Sequence, residues 1–167
     1  LGPNGAGKSS TLMCVAGHVA SQAGQVMFDG QDISELPATE RVGRADRVIR
    51  YKSAKYSVEH PLLIGATTGG LDDAGLEALS RYGLDLGRAF QLRDDLLGVF
   101  GDPQETGKPA GDDLREGKRT VLLAYALGGL DPPGQARVES LLGRPDLEAG
   151  QVDELRVTIE GSGAVAR

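Results

Sequence analysis

The chain has 167 residues, 24 acidic and 18 basic side chains, and a net charge of −6 at neutral pH. Lys and Arg are nowhere concentrated enough to displace counterions from a nucleic acid, and no apolar run is long enough to span a bilayer. The single cysteine, Cys14, has no internal disulfide partner, which points to a reducing cytoplasm.

From the front, Gly2-Pro3-Asn4-Gly5-Ala6-Gly7-Lys8-Ser9 fits the phosphate-cradling pattern G-x-x-x-x-G-K-[ST]. Glycines at Gly2, Gly5 and Gly7, together with Asn4, let backbone N–H groups converge on phosphate oxygens, and the helix that follows adds positive potential. Lys8 is placed to reach the β- and γ-phosphates, Ser9 to ligate Mg²⁺, and Ser10 continues the same turn. A short helical run over 8–19 precedes a strand signal at Gln25-Val26-Met27-Phe28, which Asp29-Gly30 ends as a hairpin. Pro37 then punctuates the chain.

The wording of residues 2–11 and of Gly24 to Ile33 resembles the ATPase subunits of ABC transporters, and Leu36 to Val42 resembles their branched-chain amino-acid importer group. That resemblance implies ATP as a ligand of residues 1–43. Leu1 opens directly on a motif that ordinarily follows a buried strand, so the chain is expected to be a fragment at its N-terminus. Neither an apolar run ending in Asp-Glu nor a Leu-Ser-Gly-Gly-Gln signature follows. A cradle without its supporting sheet is poorly preorganised, so ATP hydrolysis is not expected.

Strand signals stop at about Arg44. The pattern predicts a helix over 44–60 stopped by Pro61, a short apolar helix over 61–68 ended by Gly69-Gly70, and a long helix over 72–100. On the long helix Leu76, Leu79, Tyr82, Leu86, Phe90 and Leu97 recur at spacings of three, four and seven. Asp72 and Asp73 sit where an N-cap and a dipole-favoured acid belong. A polar loop covers 101–118, and helices are expected over 119–127, 133–142 and 146–161. His18 and His60 fit a helix face and a helix end.

Gln91, Asp94, Asp95 and Gly98 share one side of the long helix by three- and four-residue spacing. Adjacent carboxylates repel unless they are solvated, cation-paired or metal-bound. Alone, such a pair is more often a solvated face. Mg²⁺ favours one or two carboxylates with substrate phosphate oxygens, so Asp94 and Asp95 also fit a metal clamp for a diphosphate. Lys108 and Lys118, in the polar loop that begins beside them, are able to swing onto the same diphosphate; their bland alternative is surface solvation. Loops this long in compact domains are often functional.

Phe90-Gln91-Leu92-Arg93-Asp94-Asp95-Leu96-Leu97-Gly98-Val99-Phe100-Gly101-Asp102-Pro103, followed by Thr106-Gly107-Lys108-Pro109 and Asp112-Asp113-Leu114-Arg115-Glu116-Gly117-Lys118-Arg119-Thr120, resembles the second aspartate-rich region of polyprenyl diphosphate synthases, nearest the bacterial geranylgeranyl type. Tyr51-Lys52-Ser53 resembles that family's Lys-Thr/Ser element. The resemblance runs from about Arg47 to the end. It implies that Asp94 and Asp95 hold Mg²⁺ against an allylic prenyl diphosphate and that Lys52, Lys108 and Lys118 neutralise the leaving group. Ser53 and Gln91 border the same pocket, and Phe90 lines the isopentenyl diphosphate side. Gly98 stands where the family's third aspartate is common, and Asp102, one turn on, is the expected substitute. The family's first aspartate-rich motif does not occur: Asp72-Asp73 and Asp112-Asp113 both fail at the third position.

The fold class expected is therefore mostly α, a partial all-α isoprenoid-synthase bundle over 44–167 behind a short α/β P-loop fragment over 1–43. The implied chemistry is a cytoplasmic, Mg²⁺-dependent prenyltransferase, homodimeric when complete. The abrupt change of texture at Gly43 to Asp46 predicts a composite chain rather than two complete domains joined by a connector.

Overall fold

The computed structural model describes residues 27–28, 31–32, 38–107, 109 and 111–166. The P-loop residues Gly2, Asn4, Gly5, Gly7, Lys8, Ser9 and Ser10, and the loop residue Lys108, lie outside the described residues. Met27–Phe28 (β1) pairs antiparallel with Gln31–Asp32 (β2), in the register Met27 to Asp32, so the hairpin expected at this point is present. All other described elements are helical.

Ala38–Val48 (α1) begins directly after Pro37 and passes into a π-helix, Ile49–Glu59, and then into His60–Thr68 (α2). The composition change at residues 43–46 thus falls inside a helix. Pro61 does not stop the run, contrary to expectation. In the π segment the N–H of His60 reaches the Lys55 carbonyl, five residues back. Pro61 stands at the start of α2, where the register changes to four residues back and a missing donor costs least.

Asp73–Phe100 (α3) is capped as expected: the Asp72 carboxylate accepts the Gly75 N–H at 2.9 Å. Its buried face is not the apolar stripe but Gly83, Gly87, Asp95 and Val99, while Tyr82, Leu86 and Phe90 are exposed. The cause is close approach to the π-helix. A Cβ on Gly87 would lie 2.5 Å from the Ala54 Cα, and one on Gly83 would lie 3.0 Å from the Glu59 Cα. Only glycine admits a neighbouring backbone so near.

The expected polar loop contains two short helices, Pro103–Thr106 (α4) and Asp112–Glu116 (α5). Three helices follow, Val121–Gly129 (α6), Pro132–Leu141 (α7) and Ala149–Gly161 (α8), and a 3₁₀ turn over Ala164–Ala166. Thr120 caps α6 through the Leu123 N–H, and Asp131 caps α7 through Gly134. Helix α6 is apolar on every side and buries Val121, Leu122, Leu123, Ala124, Ala126 and Leu127, the mark of a central helix. Around it the core gathers Val99, Leu114, Val138, Leu141, Leu155 and Ile159. Burying each large aliphatic side chain of this kind stabilises by about 1.5–3 kcal/mol. A smaller cluster of Ala45, Ile49 and Val121 seats α1 on α6. The core thus clamps the C-terminal end of α3, where the acidic residues are. Among the described residues no helix is long and apolar enough to cross a membrane.

Candidate functional site

The last three turns of α3 are tied to two other helices. Arg156 of α8 donates to the Val99 carbonyl at 2.7 Å, satisfying an acceptor that the helix end leaves open. Farther up α3 the π-helix supplies Ser53, whose hydroxyl donates to the Gln91 Oε1 at 2.5 Å. The Gln91 amide nitrogen then donates to Asp95 at 2.9 Å and to Asp94 at 3.3 Å. Ser53, Gln91, Asp94 and Asp95 therefore form one hydrogen-bonded chain.

The two aspartates are not equivalent. Neighbouring helix positions point about 100° apart, so Asp94 is exposed while Asp95 is buried at 5% exposure. Burial raises the Asp95 carboxyl from an ordinary 3.8 to about 6. The Gln91 hydrogen bond opposes that rise, the Asp113 and Asp94 charges add to it, and Lys118 draws it back.

A pocket of about 160 Å³ opens beside Asp94, bordered by Gly98, Thr106, Pro109, Asp112 and Asp113. This is smaller than the roughly 300–1,000 Å³ of a complete small-molecule site. Asp95 is not among its lining residues. Asp102, the expected substitute for a third aspartate, is not there either: its carboxylate caps α4 through the Gln104 N–H at 2.8 Å. The place beside Gly98 is taken instead by Asp113, because a Cβ on residue 98 would overlap the Asp113 carboxylate. The failed Asp112-Asp113 motif was the one sequence signal for this contribution.

Asp113 pairs with Lys118, which also meets Glu116 at 3.0 Å. Burial alone would lower the Lys118 ammonium pKa, but hydrogen bonds to Asp113 and Glu116 outweigh it and hold the group charged well above its ordinary range. Lys52 is exposed on the π-helix, and Phe90 is 68% exposed on α3. Among the described residues no three carboxylates or other ligating groups converge to enclose a metal. The donor set nonetheless fits Mg²⁺, which keeps its waters and takes one or two carboxylates with substrate phosphate oxygens. Asp94 is the exposed carboxylate on the pocket and the residue that would hold such an ion.

Residues 14–159 match the model of a family described as polyprenyl synthetase. The match begins inside the stretch read as an ATPase fragment, so this likeness reaches further forward than Arg47, and the comparisons do not support the ATPase resemblance. A short chain isoprenyl diphosphate synthase of Methanocaldococcus jannaschii is 36% identical over 91 residues, which are 54% of this chain and 28% of that protein. The geranylgeranyl diphosphate synthase of Mycobacterium tuberculosis is 50% identical over 64 residues, 38% of this chain and 18% of that one. Among solved structures, a geranylgeranyl pyrophosphate synthase of Corynebacterium glutamicum complexed with isoprenyl diphosphate and magnesium aligns with a TM-score of 0.70 and 47% identity, over 74% of this chain and 35% of that one. The chain thus spans about a third or less of the length of such curated relatives.

Proposed function

Because the chain belongs to the polyprenyl synthetase family, we propose that residues 44–167 form the second aspartate-rich wall of a trans-prenyltransferase site in isoprenoid biosynthesis. The observation that carries this reading is the pocket bordered by Asp94, Asp112 and Asp113, with the Lys118 ammonium bonded to one of those carboxylates. The ligands proposed are an allylic prenyl diphosphate and isopentenyl diphosphate.

In this reading the allylic carbon–oxygen bond breaks and inorganic diphosphate leaves. The double bond of isopentenyl diphosphate attacks the allylic carbon, and loss of a proton to diphosphate completes the extension. Mg²⁺, when bound, supplies neutralisation of the departing diphosphate. The residues of this wall contribute as follows. Asp94 offers the exposed carboxylate, Gln91 fixes its direction, and Ser53 holds Gln91. Lys118, with Lys52 and Lys108 as its proposed companions, gives charge to the leaving group. Phe90 is proposed to face the isopentenyl side, in a homodimeric, cytoplasmic complete enzyme. ATP binding by residues 1–43 rests on the Gly2 to Ser9 motif, outside the described residues.

Calorimetry with farnesyl diphosphate, with and without Mg²⁺ and with ATP as control, tests the reading. Mg²⁺-dependent binding of farnesyl diphosphate that is lost in Asp94→Ala is the expected result. Equal binding by parent and variant would sink the role given to Asp94. No binding by the parent would sink the working wall.

A further inference from the structure

Gly98 and Asp113 are 15 positions apart in the chain and share one space. The carboxylate of Asp113 lies where a side chain on α3 would otherwise project, is 6% exposed, and lines the pocket beside Asp94. A buried carboxylate needs a partner, and this one has Lys118. The turn that returns Lys118 to it is tightly specified. Gly117 has a left-handed backbone (φ +70°), and a Cβ there would lie 2.8 Å from the Gly143 Cα. The Lys118 N–H also donates to the Asp113 carbonyl at 3.0 Å, so backbone and side chain of the pair are both bonded.

We propose that Asp113 is a positioning residue of the site, which uses the space left by Gly98 to hold the Lys118 ammonium on a carboxylate that lines the pocket, ready for a diphosphate. The inference rests on the prenyltransferase reading and adds a residue that the aspartate-rich pattern of α3 does not contain. It also gives Gly98 a cause. A side chain at 98 would make the Asp113 carboxylate shift from its present place beside Lys118, so the glycine that departs from the family's third aspartate suits this arrangement. An ammonium held by the Asp113 and Glu116 carboxylates keeps its third donor for a diphosphate oxygen. A freely rotating lysine spends conformational entropy to reach the same place.

The test is Mg²⁺-dependent binding of farnesyl diphosphate to the full chain and to five variants, with thermal unfolding of each. Asp113→Asn and Lys118→Met are each expected to weaken binding by about tenfold, the scale of one charge-assisted contact, and the double variant is expected to be no weaker than either single one. Gly98→Ala is expected to lose both stability and binding. Adding Asp113→Ala to Gly98→Ala relieves the overlap and is expected to restore stability but not binding, a split that a merely structural Asp113 would not produce. Parent-like affinity in Asp113→Asn, or additive losses in the double variant, overturns the inference while leaving the prenyltransferase reading intact. A parent chain that does not bind farnesyl diphosphate overturns both.

Discussion

Arg156 and Val99 are joined across 57 residues: the guanidinium Nε of α8 donates to the Val99 carbonyl at 2.7 Å, and a second nitrogen reaches the Gly101 carbonyl at 3.4 Å. The end of the helix that carries the acidic residues is thereby tied to the last helix of the core. Arg156→Met keeps much of the packing stem and removes both bonds. The expected loss is about 2 kcal/mol of stability, the scale of hydrogen bonds to a charged donor at a part-buried site. Urea unfolding of the two proteins measures it, and an unchanged midpoint would show that the carbonyls are satisfied by water instead.

Gly87 and Gly43 make an opposed pair. Alanine is the better helix former by about 0.5–1 kcal/mol, so Gly43→Ala in α1, where nothing lies within 4 Å, is expected to stabilise by that amount. Gly87→Ala places a methyl 2.5 Å from the Ala54 backbone and is expected to destabilise by about 1–3 kcal/mol. Differential scanning calorimetry on both variants reads the signs, and a stable Gly87→Ala would mean that α3 and the π-helix separate freely.

Asp95 predicts an unusual pH slope in the metal-free chain. Its carboxyl is raised from 3.8 to about 6, first by burial, so between those values the folded state holds a proton that the unfolded state has released. Stability from this group is therefore present below about pH 4 and is lost as pH rises through about 6, the reverse of a salt-bridged carboxylate. Asp95→Asn is expected to flatten that part of the profile. Urea midpoints measured from pH 4 to 7 compare the slopes, and equal slopes would refute a buried, neutralised Asp95.

Tyr82, Leu86 and Phe90 are 60%, 46% and 68% exposed at four-residue spacing along α3. Large apolar side chains aligned in this way favour association. Sedimentation velocity is expected to show concentration-dependent self-association of the chain, reduced in Leu86→Lys with Phe90→Lys. A monodisperse parent at every concentration would remove this expectation.

The sequence by itself determined what is governed within a turn or two of chain. Asp72 caps α3 because an aspartate there reaches an open N–H three residues on, and α6 is buried because no face of it is polar. The Ser53, Gln91 and Asp94 grouping was legible through residue spacing and family resemblance. Only the tertiary structure decided which of the two adjacent aspartates faces the pocket, since burial of Asp95 depends on helices that meet α3 from elsewhere in the chain. The apolar stripe of α3 announced the helix but not its buried face: the π-helix approaches so closely that it selects glycines, and the larger side chains turn outward. Pro61 was misjudged because its usual cost assumes an unbroken four-residue register. The pairing of Gly98 with Asp113 lay beyond any local pattern, because sharing one volume is a property of packed elements and not of neighbours in sequence.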